Sequence, residues 1–179
     1  MSERYVLHFT FGPVQSFVAQ ARRTRDLWAG SYLLSYLAGR AMLAIEQNGG
    51  EITFPAVIND PLMQSLRHDL SPSIKAAPDT SAGLAARIGS LPNRFMASVP
   101  DHADGTVAVH AIHEAWKKIA DAVRTKIGAG LPPMTDDIWN RQVLGCNVWE
   151  CVWAIGDNSH ALDLRKNLRV HVPAPEPGL

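Results

Sequence analysis

The chain has no net charge, almost no cysteine and no long apolar run, and each scarcity removes a class of protein. Lys+Arg and Asp+Glu both number 17 in 179 residues, and the sequence pI is near 7.1. The chain as a whole therefore exerts no net electrostatic pull on nucleic acid or an anionic membrane, and any nucleic-acid contact has to come from a local patch. Cys146 and Cys151 are the only cysteines. Two are too few for a disulfide framework, and they do not form a Cys-x-x-Cys clasp. On one extended strand their odd separation points them to opposite faces, which argues against a shared metal. No run approaches the ~18 apolar residues of a membrane span, and the start Met1-Ser-Glu-Arg-Tyr5 lacks a basic segment followed by an apolar stretch. A soluble, cytoplasmic protein with no membrane partner is expected. Charged residues make up only 19% and hydrophobic ones 46%. Such a chain can bury a real core, and its length suits one domain of about 100 to 200 residues.

What is present is a clear alternation of periods. Arg4 to Phe11 is rich in aromatic and β-branched types with Tyr5, Leu7, Phe9 and Phe11 on one face, a first strand. Gly12-Pro13 turns the chain, with Pro13 suited to the first position of a helix carrying Val14, Phe17, Val18 and Ala21 at helical spacing. That helix ends or bends in Arg22-Arg23-Thr24-Arg25-Asp26. A second apolar stripe then runs from Leu27 through Leu34, Leu37, Ala38, Ala41, Met42 and Ile45 to a stop at Asn48-Gly49-Gly50. Glu51 to Ala56 reads as a short second strand, with Pro55 marking an edge or an end. Residues 57–92 read as an irregular insertion with one short helix around Pro61 to Leu70. Asn93 to Val99 alternates as a third strand. Thr106 is placed to cap a helix holding Ile112, Trp116, Ile119, Val123 and Ile127 in register, ended by Gly128-Ala-Gly130. A shorter helix capped by Thr135 or Asp136 runs through Val143. Asn147 to Ile155 makes a fourth strand with Trp149, Cys151, Trp153 and Ile155 together.

The order strand, helix, strand, strand, helix, strand predicts an α+β, ferredoxin-like βαββαβ domain with a broken first helix and an insertion between strands two and three. Polymerase palms, nucleotidyl cyclases, RNA-recognition modules and metabolite sensors share that topology, so function has to be argued from sites. A catalytic palm needs carboxylates at the end of strand one and in the hairpin between its middle strands, to hold two divalent metals beside a triphosphate. Strand one ends Phe9-Thr10-Phe11-Gly12 without an acid. Gly49-Gly50-Glu51, the nearest approach to a Gly-Gly-Asp-Asp hairpin, reads better as a helix stop. His68-Asp69 spells the dyad of metal phosphohydrolases but has no neighbouring ligands. His110 and His113 lie one helical turn apart with only Glu114 as a third donor. No serine sits in a Gly-x-Ser-x-Gly elbow. The densest local charge is Arg22, Arg23 and Arg25, with Arg40 farther along, suited to a phosphate, to a partner's acidic face or to a solvated helix junction. Trp139, Trp149 and Trp153 fit a core better than a base-stacking platform.

The stretch Gly12-Pro-Val-Gln-Ser-Phe-Val-Ala-Gln-Ala-Arg-Arg-Thr-Arg-Asp-Leu-Trp-Ala-Gly-Ser-Tyr-Leu-Leu-Ser35 resembles the N-terminal signature of the large, cyclase-like subunit of type III-B (Cmr-type) CRISPR effector complexes. Leu91-Pro-Asn-Arg-Phe95, Ile138-Trp139 with Trp149-Glu-Cys-Val-Trp153, and Arg165-Lys-Asn-Leu-Arg169 followed by Pro175-Glu-Pro-Gly178 resemble later family segments in the same order. In that family two palm-like domains, often preceded by an HD nuclease domain, are separated by a zinc segment. The second palm carries the Gly-Gly-Asp-Asp motif that makes cyclic oligoadenylates from ATP when target RNA is bound.

The resemblance covers the first palm only, expected over residues 1–172 with the insertion at 57–92 and a linker or truncated end at 173–179. It implies that the chain alone is not an enzyme. It also implies that the domain supplies one side of a site for ATP with Mg²⁺ completed by the second palm. Gly12, Gln15 and Ser16 at the strand-one turn, and Arg23, Gly30 and Ser31 in the helix junction, are its candidate contacts. A glycine turn opening a helix exposes N–H groups to phosphate, and Arg23 offers charge-assisted hydrogen bonds; close helix packing is the competing reading of Gly30 and Ser31. The implied partners are the second palm and other Cmr-type subunits, with CRISPR RNA and target RNA reached indirectly. An isolated fragment is expected to form a homodimer that mimics the palm pair. Two rival readings remain. One is a stand-alone ferredoxin-like module binding RNA or a nucleotide; the other is a self-contained metal enzyme using His68-Asp69 or Glu51.

Overall fold

The computed structural model describes residues 4–69, 88–127, 135–144 and 148–156. Strand β1 (Arg4–Gly12) leads into a short helix α1 (Val14–Ala19) and a long helix α2 (Thr24–Gln47). Then come β2 (Glu51–Phe54), α3 (Pro61–Asp69), β3 (Arg94–Pro100), α4 (Thr106–Ile127), α5 (Thr135–Trp139) continued by a π-helical segment Asn140–Leu144, and β4 (Glu150–Gly156). The four strands form one antiparallel sheet in the order β2-β3-β1-β4.

The alternation read along β1 is what buries it. Leu7, Phe9 and Phe11 are at most 2% exposed and join Phe95, Ala97 and Val99 of β3 on one face of the sheet. Phe9 lies opposite Phe95 in register, with ring centroids 5.0 Å apart. Such a pair adds roughly 0.5–1.5 kcal/mol beyond its burial. The apolar stripes of α2 (Leu34, Leu37, Ala38, Ala41, Met42, Ile45) and α4 (Ala108, Ile112, Ala115) close over this face in a single core. Trp149, Cys151, Trp153 and Ile155 join the same core, as their alternation predicts, although β4 begins at Glu150 and Trp149 precedes it. Asn147 lies outside the described residues. On the other face of β1, His8 is 1% exposed.

The ends of α2 show why it starts and stops where it does. At its C-terminus Gly49 has φ +81, Gly49 N–H donates to the Glu46 carbonyl and Gly50 N–H to that of Ile45, a paired turn that only a left-handed residue permits. Gly49-Gly50 is thus the helix stop the sequence predicts, and Glu51 is an exposed strand residue rather than part of a catalytic hairpin. At the N-terminus the break falls at residues 20–23, earlier than the Arg22-to-Asp26 run suggests. Pro13 is the N-cap of α1 and not its first helical residue.

Two other helices differ from expectation. Thr106 is capped rather than capping: its N–H and hydroxyl both donate to the Asp104 carboxylate, at 2.8 and 2.5 Å. The helix after Thr135 is α-helical only to Trp139 and then widens into the π segment, where the Val143 carbonyl accepts the Trp116 indole N–H at 2.8 Å. Inside the insertion, Asp60 caps α3 by accepting the Met63 N–H at 2.9 Å. Arg67 returns to Glu46 of α2 through two hydrogen bonds of 2.9 and 2.6 Å, locking α3 onto α2.

Candidate functional site

The break in the first helix creates a concave surface. α1 lasts six residues and closes with short turns, Gln20 N–H to Phe17 O and Ala21 N–H to Val18 O. Arg23 is fully extended (φ −133, ψ 153) and its carbonyl accepts the Asp26 and Leu27 N–H groups that start α2. An extended residue between two helices turns the chain, so α1 folds back on α2 instead of continuing it. Between them lies a groove of about 480 Å³, walled by Phe17, Val18 and Ala21 on one side and Asp26, Ala29, Gly30 and Leu33 on the other. A second cleft of about 290 Å³ is lined by Val18, Ala19, Arg22, Arg23, Thr24 and Leu27.

The six candidate contacts separate into three places. Gly30 and Arg23 sit around the break, Gly30 in the groove wall and Arg23 exposed in the second cleft. A Cβ on Gly30 would rest 3.6 Å from the Phe17 ring, an ordinary contact, so helix packing does not require glycine there. Ser31 is exposed on α2 beside the segment before β3, where a Cβ on Gly89 would come within 2.8 Å of the Ser31 carbonyl oxygen. Gly12, Gln15 and Ser16 stay together at the end of β1. Gly12 is half-buried opposite Glu150 of β4, and Gln15 and Ser16 are exposed on α1. No side chain caps α1.

Two polar residues that sequence reasoning passed over hold this region in place. The Asn93 side-chain amide donates to the Phe11 carbonyl at 2.6 Å, and the Phe11 N–H donates to the Asn93 carbonyl at 3.1 Å. Ser35, 3% exposed, donates its hydroxyl to the Leu91 carbonyl at 2.9 Å. The Leu91-to-Phe95 segment thus stitches the end of β1 to α2, which gives it and the final serine of the Gly12-to-Ser35 stretch a structural reason. Neither contact has a local signal, because each joins residues more than fifty apart in sequence.

The other constellations stay scattered. His110, His113 and Glu114 are exposed on α4, the last two at the rim of a pocket of about 250 Å³ with Trp116, Lys117, Leu144, Val148 and Trp149. His68 is half-buried on α3. Among the described residues no group of three or more His, Cys, Asp or Glu side chains is placed to hold a metal ion. Of the three tryptophans weighed as core, Trp149 is buried among Phe11, Phe17 and Trp116. Trp153 packs against Gly105, and Trp139 lies under the Arg124 guanidinium at 5.7 Å. Trp28, by contrast, is 52% exposed and stacked on Tyr32.

Together these features define an α+β domain with a helix-covered antiparallel sheet, whose concave, arginine-flanked surface lies at a break in its first helix. The family described as CRISPR-associated protein Cmr2, N-terminal, matches residues 6–121, a span that includes that break, and the chain belongs to this family. The CRISPR system Cmr subunit Cmr2 of Pyrococcus furiosus is 30% identical over 118 residues, which make up 65% of this chain. The matched region spans 12% of that relative's length. Among the described residues, no helix is long and apolar enough to cross a membrane.

Proposed function

We propose that this chain is a non-catalytic palm of a Cmr-type CRISPR effector, serving as scaffold and as one wall of a site for ATP with Mg²⁺ that a second palm completes. The order β2-β3-β1-β4 with β1 central supports a ferredoxin-like palm, since it is the arrangement the split βαβ unit produces. The observation that carries the non-catalytic reading lies at the end of the sheet where a working palm places its acids. β1 runs out through Thr10, Phe11 and Gly12, and Thr10 pairs with Arg94 at the start of β3. The Arg94 guanidinium sits 5.8 Å from the centre of the Phe54 ring at the end of β2. A cation and an amide, Arg94 and Asn93, therefore stand where metal-binding carboxylates are needed. The strands β2 and β3 are joined through α3 and residues 55–93 rather than by a tight acidic hairpin.

Gly30 and Arg23 support the interface role. Glycine at 30 is not demanded by packing, so its missing side chain serves the open groove, and Arg23 supplies a free cation beside it. In the assembled effector the other Cmr subunits are the expected partners, with guide and target RNA reached through them and cyclic oligoadenylate synthesis as the reaction served. The test is ATP binding by the two-palm assembly carrying Arg23→Ala or Gly30→Val. Loss of one charge-assisted hydrogen bond should weaken binding about tenfold. Wild-type affinity in both variants would remove this domain from the nucleotide site.

A further inference from the structure

The start of α2 carries a surface that the nucleotide reading uses only at Arg23. Between residues 4 and 45 the only acid is Asp26, while Arg22, Arg23 and Arg25 follow one another at the helix break. All three are exposed. Among the described residues none of these three guanidinium groups forms an ion pair. A chain with no net charge thus concentrates cations in one patch.

Beside that patch stands an exposed indole. Trp28 is 52% exposed, and its ring lies nearly parallel to that of Tyr32, at 11° and 5.9 Å between centroids. Arg25, Trp28 and Tyr32 are spaced three and four apart on α2, which puts them on one helix face. The two rings hold each other flat, and the indole remains more than half open to solvent. A flat, pre-ordered aromatic surface next to unpaired arginines matches what unpaired bases and their phosphates need: stacking for the base and charge for the backbone. A duplex hides its base faces and cannot use the indole. An acidic protein surface would account for the arginines and leave the ring pair without a role.

We propose that this face of α2, with Arg22 of the break before it, binds a single-stranded nucleic-acid segment, with a base stacked on Trp28 and phosphates paired with Arg22 and Arg25. The contact is made by this chain alone, so it stands or falls independently of the second palm and of the ATP site.

The test is fluorescence anisotropy of labelled oligouridylate RNA and oligothymidylate DNA titrated with the chain over a range of salt concentrations. Binding of either or both supports the proposal, and the comparison shows which nucleic acid is preferred. Trp28→Ala should weaken binding about tenfold, and Trp28→Phe should keep most of it. The Arg22→Ala/Arg25→Ala variant should lower the log–log salt slope by about 1.4, two single-strand phosphate contacts. If Trp28→Ala lowers thermal stability, Trp28→Phe and the arginine slope still decide. Three results would overturn the proposal: no binding of either oligonucleotide at low salt, an unchanged affinity in a normally melting Trp28→Ala, or tighter binding of a polyglutamate peptide than of either oligonucleotide.

Discussion

Gly105, at the entry to α4, has no room for a side chain, and the consequence can be worked out atom by atom. A Cβ there would lie 2.6 Å from Cγ and 2.7 Å from Cε3 of Trp153, with Cδ2 closer still. Carbon atoms rest at about 3.5–4.0 Å, so the overlap is about 1 Å. The atoms met are the fused part of an indole, which cannot swing aside like the end of an aliphatic chain. Trp153 is on β4, paired with Phe9 of the central strand and packed against the core, so relief requires β4 or α4 to shift. Gly105→Ala is therefore expected to cost about 1–3 kcal/mol. For a chain of this size that lowers Tm by roughly 2–12 °C.

Gly39 is the internal control. Its Cβ would meet Leu66 Cδ1 at 2.5 Å and Leu91 Cδ1 at 3.1 Å, both mobile methyl groups. Alanine inside α2 also regains about 1 kcal/mol of helix propensity. Gly39→Ala should then fall within about 1 kcal/mol of wild type. Urea denaturation followed by circular dichroism separates the two. Trp153→Leu should recover part of the Gly105→Ala loss. A Gly105→Ala protein as stable as wild type, or less affected than Gly39→Ala, would refute the reasoning.

Three further predictions rest on single contacts. Ser35→Ala leaves the Leu91 carbonyl without its hydroxyl donor in a buried site and should cost about 1–2 kcal/mol by urea denaturation, with little change in m. The Asp104 carboxyl is held below the usual carboxylate range by the Thr106 hydroxyl and N–H. Its stabilisation is present above the unfolded-state value and is lost as pH falls through the lower folded-state value. Asp104→Asn should consequently lower Tm at neutral pH, with the difference vanishing in strong acid. Burial pushes the Cys151 thiol up to about 11. In a Cys146→Ala background, iodoacetamide labelling of native protein should be slow at pH 8 and keep rising to about pH 11. A rate that levels off near the ordinary thiol value would contradict the burial.

The parts of this fold that could be read from sequence are those with a local cause. The alternation in β1 and β3 and the 3.6-residue stripe of α4 place Leu7, Phe9, Phe95, Val99 and Ile112 in the core, where each is at most 1% exposed. Asn48-Gly49-Gly50 announces the end of α2 because only a left-handed residue can close that turn. What could not be read depends on distant partners. Arg23 becomes the break because its extended backbone lets α1 pack back on α2, an arrangement no window of residues contains. Thr106 looks like a cap by type, yet Asp104, two residues earlier, accepts both the N–H and the hydroxyl of Thr106 with a charged carboxylate. Ser35 and Asn93 gain meaning only when β3 arrives beside β1.

The candidate site shows the same division. The arginine run was visible as charge. The groove beside Gly30 and the exposed indole of Trp28 were not, because both depend on which way α2 faces.

The most direct test of the central claim is calorimetric titration of ATP with Mg²⁺ into the chain alone, into the Gly-Gly-Asp-Asp palm of the same effector alone, and into the two mixed. A composite site predicts no measurable binding to either part and clear binding to the mixture. Equal, magnesium-dependent binding by this chain alone would contradict it and mark the domain as a self-contained nucleotide site.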